Sequence, residues 1–165
     1  MEIRQLGIDE LVIVTDLARI IWPPTFRDIL SPEQLEYMLN WMYSEETLRN
    51  QMQKGSDFFV MEIDGNPVGF MGVEAHYPRP NQLKIHKLYV LPETQGSGAG
   101  RKFIQEALKI AEEKDIEQLT LNVNRFNNAV DFYLRMGFKI EKEEDIAIGN
   151  GYLMEDYVMI LTVTR

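Results

Sequence analysis

Residues 82–114 read QLKIHKLYVLPETQGSGAGRKFIQEALKIAEEK, and the order of elements in that stretch decides the fold. Leu83 to Leu91 alternates and carries β-branched residues, the pattern of a strand. Pro92 ends it. Gln95-Gly96-Ser97-Gly98-Ala99-Gly100 is a glycine-dense turn, and Phe103, Ile104, Ala107, Leu108 and Ala111 follow at helical spacing. A strand, a glycine loop and a helix in that order make an anion site. The first N–H groups of the helix lack partners and the helix dipole favours negative charge there. Glycines remove the Cβ atoms that would keep a pyrophosphate from the backbone.

Two phosphate-loop patterns fail on this stretch. A Walker A loop, G-x-x-x-x-G-K-S/T, needs a second glycine five residues after its first, where Gly96 is followed by Arg101. A dinucleotide G-x-G-x-x-G beginning at Gly96 and Gly98 requires glycine at position 101. The stretch fits Q/R-x-x-G-x-G/A after a strand ending Tyr-Val-x-Pro. That resembles the coenzyme A pyrophosphate loop of the GNAT N-acetyltransferase superfamily. A second block, Leu121 to Phe138 (LNVNRFNNAVDFYLRMGF), joins a strand, an Asn and a helix bearing Phe132-Tyr133 to Gly-Phe. It resembles the second signature of the same superfamily. The resemblance is good over residues 58–140 and holds only in outline over the N-terminal third, which shapes acceptor specificity.

The resemblance implies an α/β domain with a central, mixed, mostly antiparallel sheet flanked by helices, and acetyl-CoA as cosubstrate without a metal. It implies that the backbone of Tyr89, Val90 and Leu91 meets the pantetheine arm, with an N–H near Val90 or Leu91 polarising the thioester carbonyl. Gln95, Gly96, Gly98, Ala99, Gly100 and Arg101 would hold the pyrophosphate, with charge from Arg101 and Lys102. Asn127 or Asn128 would face the cofactor. Tyr133 would protonate the departing thiolate. For the base, His86 has the right unperturbed pKa range, Glu74 on the preceding strand can act directly or through water, and a water chain without a dedicated base is the third alternative.

Composition agrees. The 165 residues suit one domain, 1–165, long enough to bury a core. The chain has no cysteine and only two histidines, His76 and His86, so it offers no thiolate nucleophile and little for zinc. A net charge of −9 argues against a nucleic-acid partner and weakly favours a cationic one. The N-terminal residues lack a signal-peptide pattern and no apolar run reaches membrane-spanning length, so the expectation is a cytoplasmic protein without a membrane partner. A homodimer is compatible with the sequence.

Taken in order, Glu2 to Leu6 reads as a short strand. Asp9 is positioned to cap a helix over Glu10 to Ile21, which Trp22-Pro23-Pro24 should stop. Ser31-Pro32-Glu33-Gln34 opens a second helix, and Ser44 a third that ends at Lys54-Gly55. Trp22, Phe26, Tyr37, Trp41 and Tyr43 are available to wall an acceptor pocket. Asp57–Ile63 and Val68–Tyr77 read as a hairpin over Asp64-Gly65-Asn66-Pro67. Glu117–Val123 reads as a strand parallel to Leu83–Leu91, and a helix from Asn128 to Met136 closes at Gly137. Phe138–Ile148 and Tyr152–Val163 form a last hairpin.

The chemistry predicted is transfer of an acetyl group from acetyl-CoA to a primary amine by direct attack, with a small cationic amine or polyamine favoured. Rival readings are a CoA-binding sensor without turnover, a protein N-terminal or lysine acetyltransferase, and a nucleotide- or phosphate-binding protein.

Overall fold

A computed structural model of the chain describes residues 1–164. They gather into two compact units, and strand β4 and helix α4 each contribute to both.

The first unit comprises Met1–Glu74 and His86–Glu106. Its strands are β1 (Glu2–Gln5), β2 (Ser56–Ile63), β3 (Asn66–Ala75) and the second half of β4 (Gln82–Val90), in the order β1-β2-β3-β4. β1–β2 and β2–β3 are antiparallel. Asp64 and Gly65 form the two-residue hairpin loop, both left-handed at φ 52° and 80°, the geometry that matches strand twist. Helices α2 (Pro32–Tyr43) and α3 (Glu45–Gln53) begin as the sequence predicts. Ser31 Oγ accepts from Gln34 N and Ser44 Oγ from Thr47 N, both at 3.1 Å.

Helix α1 (Val12–Phe26) corrects two expectations. Asp9 lies in a short 3-10 turn, Ile8–Glu10, and Leu11 occupies the N-cap. The helix also runs through Pro23 and Pro24 instead of stopping before them. Those prolines cannot donate to the carbonyls of Arg19 and Ile20, which lie on exposed residues where water substitutes. Thr25 Oγ1 donates to the Ile21 carbonyl at 2.7 Å, and Trp22 packs on Phe26 at 4.6 Å between ring centroids. Burial of both rings outweighs the proline cost.

The second unit comprises Ala75–Ile85 and Ala107–Arg165. Its strand order is β4-β5-β7-β6, with β5 (Gln118–Asn124), β6 (Lys139–Gly149) and β7 (Tyr152–Thr162). β4 and β5 are parallel, with Cα partners from Gln82–Gln118 to Ile85–Leu121, while β5–β7 and β6–β7 are antiparallel. Helix α4 (Ala99–Glu113) supplies the crossover between β4 and β5, and α5 (Ala129–Arg135) follows β5. Of the stripe expected from spacing, Phe103, Ile104, Ala107 and Ala111 are buried and Leu108 is partly exposed, while Ala99 at the helix start is buried as well. The fold is the mixed, mostly antiparallel sheet with helices that the sequence predicts.

Candidate active site

In the first unit, a 3-10 turn at Pro92–Thr94 leads into the glycine loop and α4. The turn consumes three amides: Thr94 N–H donates to Leu91 O at 2.9 Å, Gln95 N–H to Pro92 O at 3.2 Å and Ser97 N–H to Thr94 O at 3.3 Å. The first intrahelical bond is Lys102 N to Gly98 O at 3.1 Å. The amides of Gly96, Gly98, Ala99, Gly100 and Arg101 therefore have no acceptor among the described residues. Gly96 and Gly98 hold φ of +81° and +91°, and a Cβ on either would meet nothing within 4 Å. Open space in front of unsatisfied N–H groups at the start of a long helix fits a pyrophosphate. Of the six loop residues expected to bind it, Gln95 has its amide committed within the turn. Lys102 Nζ donates to the Met1 carbonyl at 3.0 Å.

Upstream of the loop, Leu91 N–H donates to Val68 O at 2.8 Å. That leaves Val90 of the two amides considered for the thioester carbonyl. Gly69 on β3 lies so close to this segment that a Cβ would stand 2.8 Å from the Tyr89 carbonyl oxygen.

His86 and Glu74, considered separately as bases, form one pair: His86 Nε2 lies 2.9 Å from Glu74 Oε1. Both are partly exposed, at 27% and 22% of their side chains, so solvent reaches them. His76 is exposed in a turn, with Nδ1 2.7 Å from Pro80 O.

Three of the five N-terminal aromatics converge. Trp22, Phe26 and Tyr43 are buried and form a ring cluster with Phe70 and Tyr89. Tyr37 and Trp41 pack on each other, and Trp41 is exposed. Sequence reasoning missed a residue inside this cluster, Lys87. It is 4% exposed, and its Nζ sits 4.9 Å from the centre of the Tyr43 ring. Burial lowers its pKa to about 8. The signal was available, since Lys87 interrupts the apolar half of β4 beside His86.

In the second unit, Tyr133 lies on α5, 6% exposed, against the rings of Phe132 and Phe138. Its hydroxyl has no hydrogen-bond partner among the described residues, and burial raises its pKa well above the phenol range. Asn127 Oδ1 accepts from Ala129 N at 2.9 Å, which caps α5. Asn128 makes no side-chain cap and is exposed. A cavity of about 290 Å³ in this unit mixes charges, with Arg79, Lys84 and Lys142 beside Glu141 and Glu144. Nearby Asn122 Nδ2 bridges Glu144 and Asp156 at 3.4 and 3.3 Å, and burial raises the pKa of Asp156.

Among the described residues, no group of three or more His, Cys, Asp or Glu could hold a metal ion. No helix among them is long and apolar enough to cross a membrane.

A glycine loop with unsatisfied amides at the start of a long helix suits the pyrophosphate of an acyl-CoA, the donor of an acyltransferase. The family comparison agrees: the acetyltransferase (GNAT) domain model matches residues 26–161, and the chain belongs to that family. It is 30% identical over 161 residues to the spermidine N(1)-acetyltransferase of Thermoplasma acidophilum, covering 94% of this chain and 96% of that protein. It is 29% identical over 103 residues to the peptidyl-lysine N-acetyltransferase YjaB of Escherichia coli, covering 62% of each. Among solved structures it resembles the PaiA N-acetyltransferase of T. acidophilum in complex with coenzyme A. That match has a TM-score of 0.81, 29% identity and 98% coverage of both chains. The protein is an acetyl-CoA-dependent N-acetyltransferase of the GNAT type.

Proposed function

We infer that residues 1–165 work as one domain that acetylates a small cationic primary amine, polyamines included, in a ternary complex. The observation that carries the donor half is the set of five unsatisfied amides from Gly96 to Arg101 at the start of α4. The net charge of −9 and the likeness to a spermidine acetyltransferase support a cationic acceptor.

In this reading the loop amides and Arg101 hold the pyrophosphate, and Tyr89 and Val90 line the pantetheine arm. One nitrogen side chain, Asn127 or Asn128, meets the cofactor beside α5; Asn127 still has its Nδ2 to donate. The His86–Glu74 pair takes a proton from the acceptor ammonium, with Glu74 orienting the imidazole and stabilising its charged form. The amine then attacks the thioester carbonyl, a C–N bond forms and the C–S bond breaks. Val90 N–H steadies the oxyanion, Tyr133 protonates the thiolate, and the second proton of the acylated nitrogen restores the tyrosine through solvent. The sequence has no cysteine to serve as a covalent acyl carrier, which favours direct attack.

The test is thiol release from acetyl-CoA across an amine panel with wild type and Tyr133→Phe. Turnover confined to one amine class, with kcat depressed in the variant and acetyl-CoA still bound, is the expected result. Acetyl-CoA binding with no turnover on any amine would support the sensor reading instead. The cytoplasm is the compartment in which acetyl-CoA is at hand, and a homodimer would show as twice the chain mass in solution.

A further inference from the structure

Two polar atoms in the aromatic cluster of the first unit are buried without a hydrogen bond among the described residues, and a lysine without a counter-ion among those residues lies beside them. The Trp22 indole nitrogen and the Tyr43 hydroxyl face each other without a hydrogen bond of ordinary geometry to any described residue, on residues 2% and 1% exposed. Lys87, 4% exposed, has neither an ion pair nor a hydrogen bond among the described residues. Such groups cost several kcal/mol each when left alone, so buried polar atoms are nearly always paired.

The three are neighbours. The Trp22 and Tyr43 ring centroids are 5.2 Å apart, and Lys87 Nζ lies over the Tyr43 face. The indole N–H stands close enough to the Tyr43 oxygen to favour its ionised form slightly, although the burial that opposes ionisation dominates. Their chemistry is one-sided. An ammonium and an indole N–H only donate, and a phenol donates readily. With no carboxylate beside it, Lys87 repels a second cation. Although burial lowers its pKa to about 8, Lys87 remains mostly protonated at neutral pH.

We propose that Lys87, Trp22 and Tyr43 form a subsite for a carboxylate carried by the acceptor, so that the preferred acceptor is an amine that also bears a carboxylate, as in a basic amino acid. This rests on the transferase reading above and narrows its acceptor class. The carboxylate would supply the acceptor atoms that all three groups lack, in a low-dielectric setting where a charge-assisted bond is strong. The same geometry explains a lysine in an aromatic cluster, which a structural role alone does not require.

Two pairs of compounds isolate the carboxylate: ornithine against putrescine, and lysine against cadaverine. In wild type, kcat/KM is expected to favour each amino acid over its diamine by about 10- to 100-fold, the worth of a hydrogen-bonded charge. In Lys87→Met and Tyr43→Phe that preference should collapse. Independently, acetate titrated into ¹⁵N-labelled protein should move the indole N–H resonance of Trp22. Trp41, which is exposed, serves as the internal control. Tyr43→Phe removes a single oxygen and keeps the test open if Lys87→Met does not fold. Diamines preferred in wild type, a preference that survives in both variants, or an unmoved Trp22 resonance overturns the inference while leaving the transferase reading intact. Failure of every amine with acetyl-CoA bound overturns that reading and this inference with it.

Discussion

His86 Nε2 and Glu74 Oε1 are 2.9 Å apart on neighbouring strands of the first unit, which makes one hydrogen-bonded pair of two residues that look independent in the sequence. A pair that acts together is non-additive. His86→Gln and Glu74→Gln are each expected to lower kcat/KM by on the order of 100-fold. The double variant should lose little more than the worse single one. Thiol release for all four proteins checks this, and losses that multiply would show that the two act separately.

Tyr133 is held neutral by burial, with its pKa raised well above the phenol range. It should remain a proton donor at every pH at which the enzyme is assayed, so it contributes no alkaline limb to the rate profile. Tyr133→Phe is expected to reduce kcat by about 10- to 1000-fold, as loss of a general acid does, at nearly constant acetyl-CoA affinity. A fall in affinity equal to the fall in kcat would instead assign Tyr133 to cofactor binding.

The glycines of the donor segment separate binding from folding. At Gly98 a Cβ meets nothing within 4 Å, but φ is +91°. Gly98→Ala should therefore cost about 1 kcal/mol in backbone strain and weaken acetyl-CoA binding by obstructing the loop. At Gly69 a Cβ would stand 2.8 Å from both the Tyr89 oxygen and Val90 Cγ1. Gly69→Ala should cost about 1–3 kcal/mol or more from overpacking. Thermal unfolding with and without acetyl-CoA distinguishes the two: only Gly98→Ala should lose most of the ligand-induced rise in Tm.

Lys87 gives stability a pH signature. Its pKa falls from the ordinary lysine value to about 8 in the native state. Between pH 8 and about 10.5 the unfolded chain binds more protons than the native one, so stability rises with pH through that window. Below pH 8 the full cost of burying the charge is present, on the order of 3 kcal/mol. Lys87→Met should raise Tm at pH 7, and its advantage should fade as pH approaches 10.5. Parallel Tm curves for the two proteins across that range would show that Lys87 is not the group responsible.

Much of this was legible from local pattern. The strand, glycine loop and helix of residues 82–114 lie where alternation, Pro92 and helical spacing put them. Ser31 and Ser44 cap the helices they were expected to cap. Helix α1 was misread at both ends because its limits depend on partners distant in sequence. Phe26 is 6.3 Å from the Tyr89 ring, and that contact holds a last helical turn that Pro23 and Pro24 disfavour locally.

The sequence by itself determined the class of chemistry, because an anion loop is built from consecutive backbone amides and the glycines that expose them. Those features are local and survive without knowledge of the rest of the chain. Only the tertiary structure decided which side chains act together. It joined Glu74 to His86 across twelve residues, committed the Leu91 amide to Val68, and set Lys87 over Tyr43 with no counter-ion among the described residues. Each of these depends on strand register and on burial, and both are settled by the packing of the whole sheet against its helices, where no single segment carries the information.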